Sequence, residues 1–395
     1  MNLKLEKILE KLSDFDKNIR EESFHQIVEL IKRGKVKKDY EYKGYLNAHI
    51  HTFHSFNYKN WSPFRIVFEA WKKGLLYVGT VDFDTLCGVE ETLLAGEFLE
   101  IKVISGFESR VFLKEMKDKV INSPNEPGIF YLCGKGFKKV PQKGSEEWKF
   151  FKNLKKIAQN RNKKIIRKIN NYLSEIKIDY KDDVLSLTPS ENPTERHIVL
   201  AYYIKSKNLL GEKIYNFWSE VLNIEKEKIK KIECENISQL YEIIRQKLIK
   251  FGGPGYVKAE STDFPLFDDV VKMTEKAGGI PIGTWLDGTN EGERNPEILI
   301  ELLKEKGIKG ITIIPERNWN IKDKKEKEIK VKNLDKFMET CIKMNMPVIC
   351  GTEMNKYGQP FVDNFKVPEI SKYLDYFVKS YEYLFLKNGE EKNKR

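Results

Sequence analysis

Histidine is scarce in this chain, with five among 395 residues. Cysteine is equally sparse. Cys87, Cys133, Cys234, Cys341 and Cys350 are scattered, odd in number and form no C-x-x-C pair. That spacing excludes a disulfide framework and a zinc-ribbon cluster and fits buried, reduced thiols. No apolar run approaches the roughly 20 residues that span a bilayer. The opening segment "MNLKLEKILEKLSDFDKNIREE" has no apolar centre of the signal-peptide kind. A cytoplasmic protein with no membrane partner is therefore expected. No G-x-G-x-x-G follows the first strand-like segment, and no G-x-x-x-x-G-K-[ST] occurs, so dinucleotide and P-loop readings have no support.

Lysine, by contrast, is plentiful, and the net charge is +11. The lysines alternate with glutamate, as in "IEKEKIKKIE" and "KDKKEKEIK", which is the pattern of solvated helix faces. No basic stretch is interleaved with aromatics as a stacking platform would be, so nucleic acid is not an expected partner. Hydrophobic residues make up 40% and aromatics 12%, enough for a sizeable core.

Residues 1–40 read as a helical segment, with "LEKILEKL" at helical spacing and "SFHQIVELIKRG" ending at Gly34. From Tyr45 the rhythm changes. "YLNAHIH", "LLYVGTV", "KVISGF", "GIFYLC", "GIPIGTW", "KGITIIPE" and "PVICGTE" are seven strand-like segments, most of them followed by helical ones. Ser62 as N-cap, Pro63 at the first position and Gly74 as C-cap bound the first of those helices. Residues 135–250 break the alternation with lysine-rich helical stretches such as "WKFFKNLKKIAQNRNKKIIRKINNYL". The expected organisation is a parallel β/α barrel from 41–134 and 251–387, a helical insertion at 135–250 and a charged tail at 388–395.

In such a barrel, functional groups sit just past the C-terminal ends of strands. Those positions here hold His49 and His51, then Asp82 and Asp84, Glu108, Trp285 and Asp287, Glu316 and Arg317, and finally Glu353 and Asn355. His49 and His51 are two apart on a strand and so point to one face. Two neutral imidazoles can share a metal, although an H-x-H pair by itself is often structural. Glu108 and Glu353 are the best carboxylate candidates, each otherwise a surface ion pair. Two imidazoles with two carboxylates suit Mn, Fe(II) or Zn. Such an ion acidifies bound water and polarises a phosphoryl or carbonyl oxygen. His54 is out of phase with the pair, and His25 reads as structural.

These segments resemble the PHP (polymerase and histidinol phosphatase) family. "HIHTFHS" resembles its H-x-H-T-x-x-S motif, "VGTVDFDT" is similar to ITDHDT, and "GFES" to its G-x-E element. "AGGIPIGTW" and "GTEMN" occupy the places of its AHP and GSDAH elements. The resemblance covers about residues 45–110 and 265–360. It implies a distorted seven-stranded β/α (TIM-like) barrel whose mouth holds two or three metal ions and hydrolyses phosphoesters. Phe83, Trp285 and Asn355 stand where the family has histidine, Glu353 replaces an aspartate, and Asn47 replaces an acidic residue. One ion on His49, His51, Glu108 and Glu353 survives these departures, and a second would draw on Asn355, Asp82, Asp84 or His197.

"TPSENPTERHIVLA" resembles the family's R-P-H element, which would give Arg196 to an anion and His197 to a metal. The plainer reading makes Thr194 a helix cap and His197 part of a buried face. Arg317 is a second guanidinium clamp for phosphate or carboxylate. The resulting expectation is a metal-dependent phosphoesterase acting on a small anionic metabolite through a metal-activated hydroxide. Arg196 or Arg317 would neutralise the phosphate and Asp82 or Asp287 would move the proton. Amide or lactone hydrolysis, and a barrel that binds a ligand without catalysis, are the alternatives.

Overall fold

The computed structural model describes residues 3–258 and 263–387; the charged tail 388–395 lies outside the described residues. Backbone packing divides the chain into two units. One comprises the residues up to Phe53, Asn57–Leu154 and Phe264 onward, the other His54–Phe56 and Lys155–Asp263.

The first unit is built on one seven-stranded sheet in sequential order. Its strands are β1 (Leu46–His51), β2 (Tyr77–Phe83), β3 (Lys102–Phe112), β4 (Ile129–Lys135), β5 (Ile280–Trp285), β6 (Gly310–Ile313) and β7 (Val348–Cys350). The sheet curls until its ends meet: Glu353, just past β7, bridges Ile50 of β1. The His51 amide donates to the Glu353 carbonyl (2.7 Å) and the Glu353 amide to that of His49 (2.9 Å). The result is a distorted, nearly closed β/α barrel.

The expected all-parallel arrangement fails at one strand. β4 runs antiparallel to both β3 and β5, with Gly106 opposite Lys135 and Leu132 opposite Gly283. An antiparallel neighbour needs no crossover helix, and residues 113–128 accordingly link β3 to β4 without an α-helix. The reversal turns the C-terminal end of β4 away from the mouth.

Helices α1 (Leu3–Lys11) and α2 (Lys17–Lys32) belong to this unit rather than to a separate segment. Phe24 of α2 stacks on Phe64 of α3 (Pro63–Lys73) at 4.5 Å. Arg20 forms a buried ion pair with Glu91 of α4 (Val89–Leu99). The α3 boundaries follow the sequence signals: the Ser62 side chain accepts from the Arg65 amide, Pro63 opens the helix, and Gly74 closes it at φ 78°.

α5 (Glu146–Tyr172) opens the helical stretch, and α6 (Glu195–Leu210), α7 (Ile214–Leu222) and α8 (Lys226–Leu248) lie in the second unit. That unit has its own core, including Ile169, Ile198, Tyr202, Trp218 and Ile244. Residues 135–154, read from sequence as part of the insertion, fall in the first unit. The barrel alternation resumes with α9 (Phe267–Lys276), α10 (Pro296–Glu305), the short α11 (Glu316–Trp319), α12 (Lys324–Lys343), the short α13 (Pro368–Ser371) and α14 (Leu374–Glu382). No helix among the described residues is long and apolar enough to cross a membrane.

Candidate metal centre in the barrel

Alternation along β1 puts Ala48 and Ile50 on one face and His49 and His51 on the other. Both imidazoles are buried. β3 brings Glu108 to them from two strands away, because the strand continues to Phe112 instead of ending near residue 107. One ligand atom from each of His49, His51 and Glu108 lies within 4.8 Å of the others. Glu108 Oε2 stands 3.1 Å from His51 Nε2 and 3.7 Å from His49 Nε2. His49 Nε2 is a buried atom with no hydrogen-bond partner.

Close approach of backbone to His49 supports this geometry. A Cβ at Gly351 would lie 2.4 Å from the His49 Cβ, so only glycine fits there. Asn47 ties the same place together, donating to Thr352 Oγ1 and the Phe361 carbonyl (both 2.7 Å) and accepting from the His49 amide. An acid at this position would lose both donors, which accounts for asparagine in this chain.

Burial pushes the His49 pKa down to about 4, and the nearby Lys135 charge adds to this against the opposing pull of Glu108. His49 is therefore neutral at neutral pH. Burial pushes the Glu108 carboxyl upward, but the two imidazoles outweigh it and hold the group ionised. A neutral His49 with an unpartnered Nε2, beside the His51 imidazole and the Glu108 carboxylate, is a donor set that fits a divalent ion.

Glu353 lies outside the close trio but within electrostatic reach of all three members. Its backbone is left-handed, φ 63°, as is that of Met354 at 53°. Neither residue is glycine, and strain of this kind persists where surrounding structure over-determines it. One Glu353 oxygen is 3.5 Å from Arg317 Nη2 and the other accepts from Gln359 Nε2 at 3.2 Å. Burial raises its pKa, yet Arg317 and the imidazoles outweigh that and lower it. Arg317 is partly exposed, and Glu353, Tyr131, Asp287 and Glu108 all act on its charge. It thus sits over the barrel mouth. Asn355 is half-buried in the loop beyond Glu353.

Other predicted residues have different surroundings. Asp82 neighbours Phe83 in a strand and so faces the opposite way. Phe83 lies against His51, ring centroids 4.3 Å apart, whereas both Asp82 oxygens accept from Thr52, at 3.0 and 2.7 Å. Asp82 therefore shapes the chain after β1. Asp84, at φ 56°, accepts from Ser109 Oγ, and burial raises its pKa to about 6. Asp287 is held by Thr289 and by Lys330 at 3.2 Å. Trp285 stacks on Phe337 of α12 at 4.3 Å and 9°, so it packs outward into the helix layer.

Arg196 and His197 belong to the second unit, as does His54, and their partners are found there. Arg196 pairs with Glu242 at 2.6 Å. His197 Nδ1 accepts from the Thr194 amide at 3.0 Å, completing a capping box at the start of α6. A neutral imidazole that accepts at Nδ1 carries its hydrogen on Nε2, which leaves no lone pair for a metal. The helix-cap reading of this histidine is the one the geometry describes.

This cap has a measurable consequence. Burial, with Arg196 beside it, lowers the His197 pKa to about 4 from an ordinary 6.5. A depressed histidine contributes stability that is present above pH 6.5 and lost as pH falls through the folded value. The loss should reach about 3 kcal/mol between those limits. His197→Gln keeps a capping-box acceptor without a titrating group. Urea unfolding at pH 7 and pH 4.5 should show a smaller acid loss in that variant; equal losses would mean that His197 does not carry this share.

Three buried groups escaped the sequence reading. Lys135 of β4 reaches the Ala48 carbonyl at 2.6 Å and His49 Nδ1 at 3.3 Å. Glu293 accepts the amides of Leu286, Asp287 and Gly288, shaping the loop after β5. Asp363 accepts the Glu316 amide and Trp319 Nε1, both at 2.9 Å, fixing α11 and hence Arg317. None lies at a forward strand end, and only the reversal of β4 would have pointed to Lys135.

No protein-family profile and no curated protein sequence matches this chain. Its fold, however, is similar to solved structures. A crystal structure described as a metal-dependent phosphoesterase, from Bifidobacterium adolescentis, aligns with a TM-score of 0.51 at 17% identity, covering 82% of this chain and 94% of that one. An amidohydrolase from Chromobacterium violaceum, with bound sulfate and no metal, aligns with a TM-score of 0.52 at 14% identity, covering 84% of this chain and 95% of that one. At these identities the likeness is one of fold. Fold and side chains together define a distorted β/α barrel with a buried His-His-carboxylate trio among its strands.

Proposed function

We propose that the chain is a metal-dependent hydrolase and that its substrate is a small phosphoester. The observation that carries this reading is the convergence of His49, His51 and Glu108 with a buried, unpartnered Nε2. These three residues, with Glu353 as a fourth donor, would hold a divalent Mn, Fe or Zn ion. Such an ion supplies Lewis acidity, polarising a phosphoryl or carbonyl oxygen and making water a usable nucleophile near neutral pH.

The chain's own residues supply the rest. Arg317 presents a guanidinium at the rim, suited to bidentate capture of an anionic oxygen pair. Glu353 holds Arg317 until an anion competes for it. Asp363 and Trp319 fix the short helix that carries it. An exposed cation at the mouth favours a phosphoester over a neutral amide, although both bonds answer to the same chemistry and the two structural neighbours are described by one each. Asp287, engaged by Thr289 and Lys330, is placed to orient the loop after β5 rather than to carry a proton.

The test is a substrate panel of phosphomonoesters, phosphodiesters, amides and lactones, run with Mn, Zn and chelator. Turnover of a phosphoester that vanishes with chelator is expected. Arg317→Ala should raise KM for that substrate at least about tenfold, the worth of a charge-assisted pair, with a smaller change in kcat. Turnover of amides alone would move the assignment to amide hydrolysis. Retained metal with no turnover would mark a non-catalytic, ligand-binding barrel.

A further inference from the structure

The loop after β5, residues 286–293, folds around its own buried carboxylate. Glu293, 1% exposed, takes the Leu286 amide on Oε1 at 2.8 Å and the Asp287 and Gly288 amides on Oε2, both at 3.2 Å. Gly288 is left-handed, φ 68°, where the turn brings it against Trp285 and Asn333. Two carbonyls of the same stretch meet neighbouring helices. Asn333 of α12 donates to that of Asp287 at 3.0 Å, and Asn318 of α11 to that of Leu286 at 3.0 Å. Asn318 is wholly buried and directly follows Arg317. The short α11 is therefore held from two sides, by Asp363 through the Glu316 amide and Trp319, and by the loop through Asn318. A helix this short has little stability of its own, so its place depends on these bonds.

We propose that Glu293 is a positioning residue for the anion grip at the barrel mouth. Its ionised carboxylate gathers the three amides, the gathered loop presents the Leu286 carbonyl to Asn318, and Asn318 fixes the helix that aims Arg317. This inference rests on the reading of Arg317 as an anion clamp. A proton on either Glu293 oxygen would stand where an amide hydrogen points, so protonation loosens the loop. Burial pushes the Glu293 pKa up to about 7 against the pull of the three amides, and the Asp287 charge adds to the rise. The grip should accordingly strengthen as pH rises through neutrality and weaken as it falls. The other charged groups around the loop are Lys330 of α12, 3.2 Å from Asp287, Lys119, 4.0 Å from Glu291, and Arg294, which donates to the Thr289 carbonyl. On α11 and its far side, burial also raises Glu316, and raises Asp363 to about 6.

The probe is sulfate, a dianion whose charge does not change between pH 6.5 and 8, titrated into the full chain by calorimetry. Glu293→Gln keeps the size and cannot ionise, and its amide group meets the loop amides with a donor. Its affinity at pH 8 should be about tenfold below that of the wild type, the worth of the Arg317 contact, and Arg317→Ala should lose the same. The double variant should bind no more weakly than Arg317→Ala alone, because both act through one contact. Wild-type affinity should fall about threefold from pH 8 to 6.5, while that of Glu293→Gln stays level. Unchanged affinity in a folded Glu293→Gln protein would overturn the proposal. Additive losses in the double variant, a flat wild-type profile or a pH response that survives Glu293→Gln would do the same. If Glu293→Gln does not fold, Asn318→Leu, of similar volume and without the donor, carries the comparison, and wild-type affinity in it overturns the link. A wild type that binds no sulfate, or an Arg317→Ala protein that binds it as tightly as the wild type, would remove the anion clamp itself, an outcome distinct from failure of the Glu293 link.

Discussion

Glu108→Gln is expected to abolish stoichiometric metal binding. Glutamine keeps the volume and one acceptor oxygen beside His51 Nε2, where Glu108 Oε2 stands at 3.1 Å. What disappears is the only carboxylate in the close trio. A hard-to-borderline divalent ion would then face the two imidazoles with only Glu353 left to supply negative charge. Affinity for Mn or Zn should fall at least about 100-fold and hydrolysis at least about 1,000-fold, the scale of losing charge stabilisation at a catalytic centre. Folding should survive, because the substitution also removes a buried charge. Elemental mass spectrometry of both proteins after metal loading and desalting decides the matter. About one equivalent in the wild type and none in the variant is the expected pair. Equal occupancy in both would relocate the site, and no metal in either would end the metal-dependent reading.

The second large effect is on stability. Arg20 and Glu91 are almost wholly buried, with side chains 4% and 5% exposed. Arg20 also donates to the carbonyls of Asp14 and Phe15, and its guanidinium lies 5.0 Å from the centre of the Phe53 ring. It therefore locks the N-terminal helices onto α4 and onto the chain just past the H-x-H strand. Burial raises the Glu91 pKa, and Arg20 is the main force opposing that rise. Arg20→Met leaves Glu91 buried without its partner, which should cost about 3–5 kcal/mol. The deficit should be largest near neutral pH and shrink toward pH 4, where Glu91 can take up a proton. Arg20→Met/Glu91→Leu should recover most of the loss, because a well-packed apolar pair often replaces a buried ion pair at little cost. Urea unfolding across that pH range measures all three proteins. A loss under 1 kcal/mol for Arg20→Met would show that this pair is not what joins the helices to the barrel.

The helical and strand segments were legible because their signals are local. Ser62, Pro63 and Gly74 bound α3 through capping and backbone preference, and such effects act over four or five residues. The His49–His51 pair was legible because a period of two along a strand sends both side chains to one face whatever the rest of the chain does. Glu108 was found by its place in a run of strand ends, although the strand itself extends four residues further.

The remaining site residues depended on what lies opposite them. Asp82 is a ligand-type residue at a strand end, yet Thr52 occupies both its oxygens. Trp285 sits where the motif pattern puts a histidine, but its ring stacks against Phe337 in the helix layer. His197 follows an arginine as in the motif, and the Thr194 amide occupies its Nδ1.

From sequence alone came the seven strands and the facing of the two histidines. The tertiary structure decided the direction of β4, the closure of β1 against the Glu353 segment, and the entry of Lys135 beneath His49. The division has a physical cause. Local backbone preference and side-chain alternation are properties of a few adjacent residues. The partner that meets a buried polar atom is chosen by elements as much as 300 residues away, as Asn47 and Thr352 show.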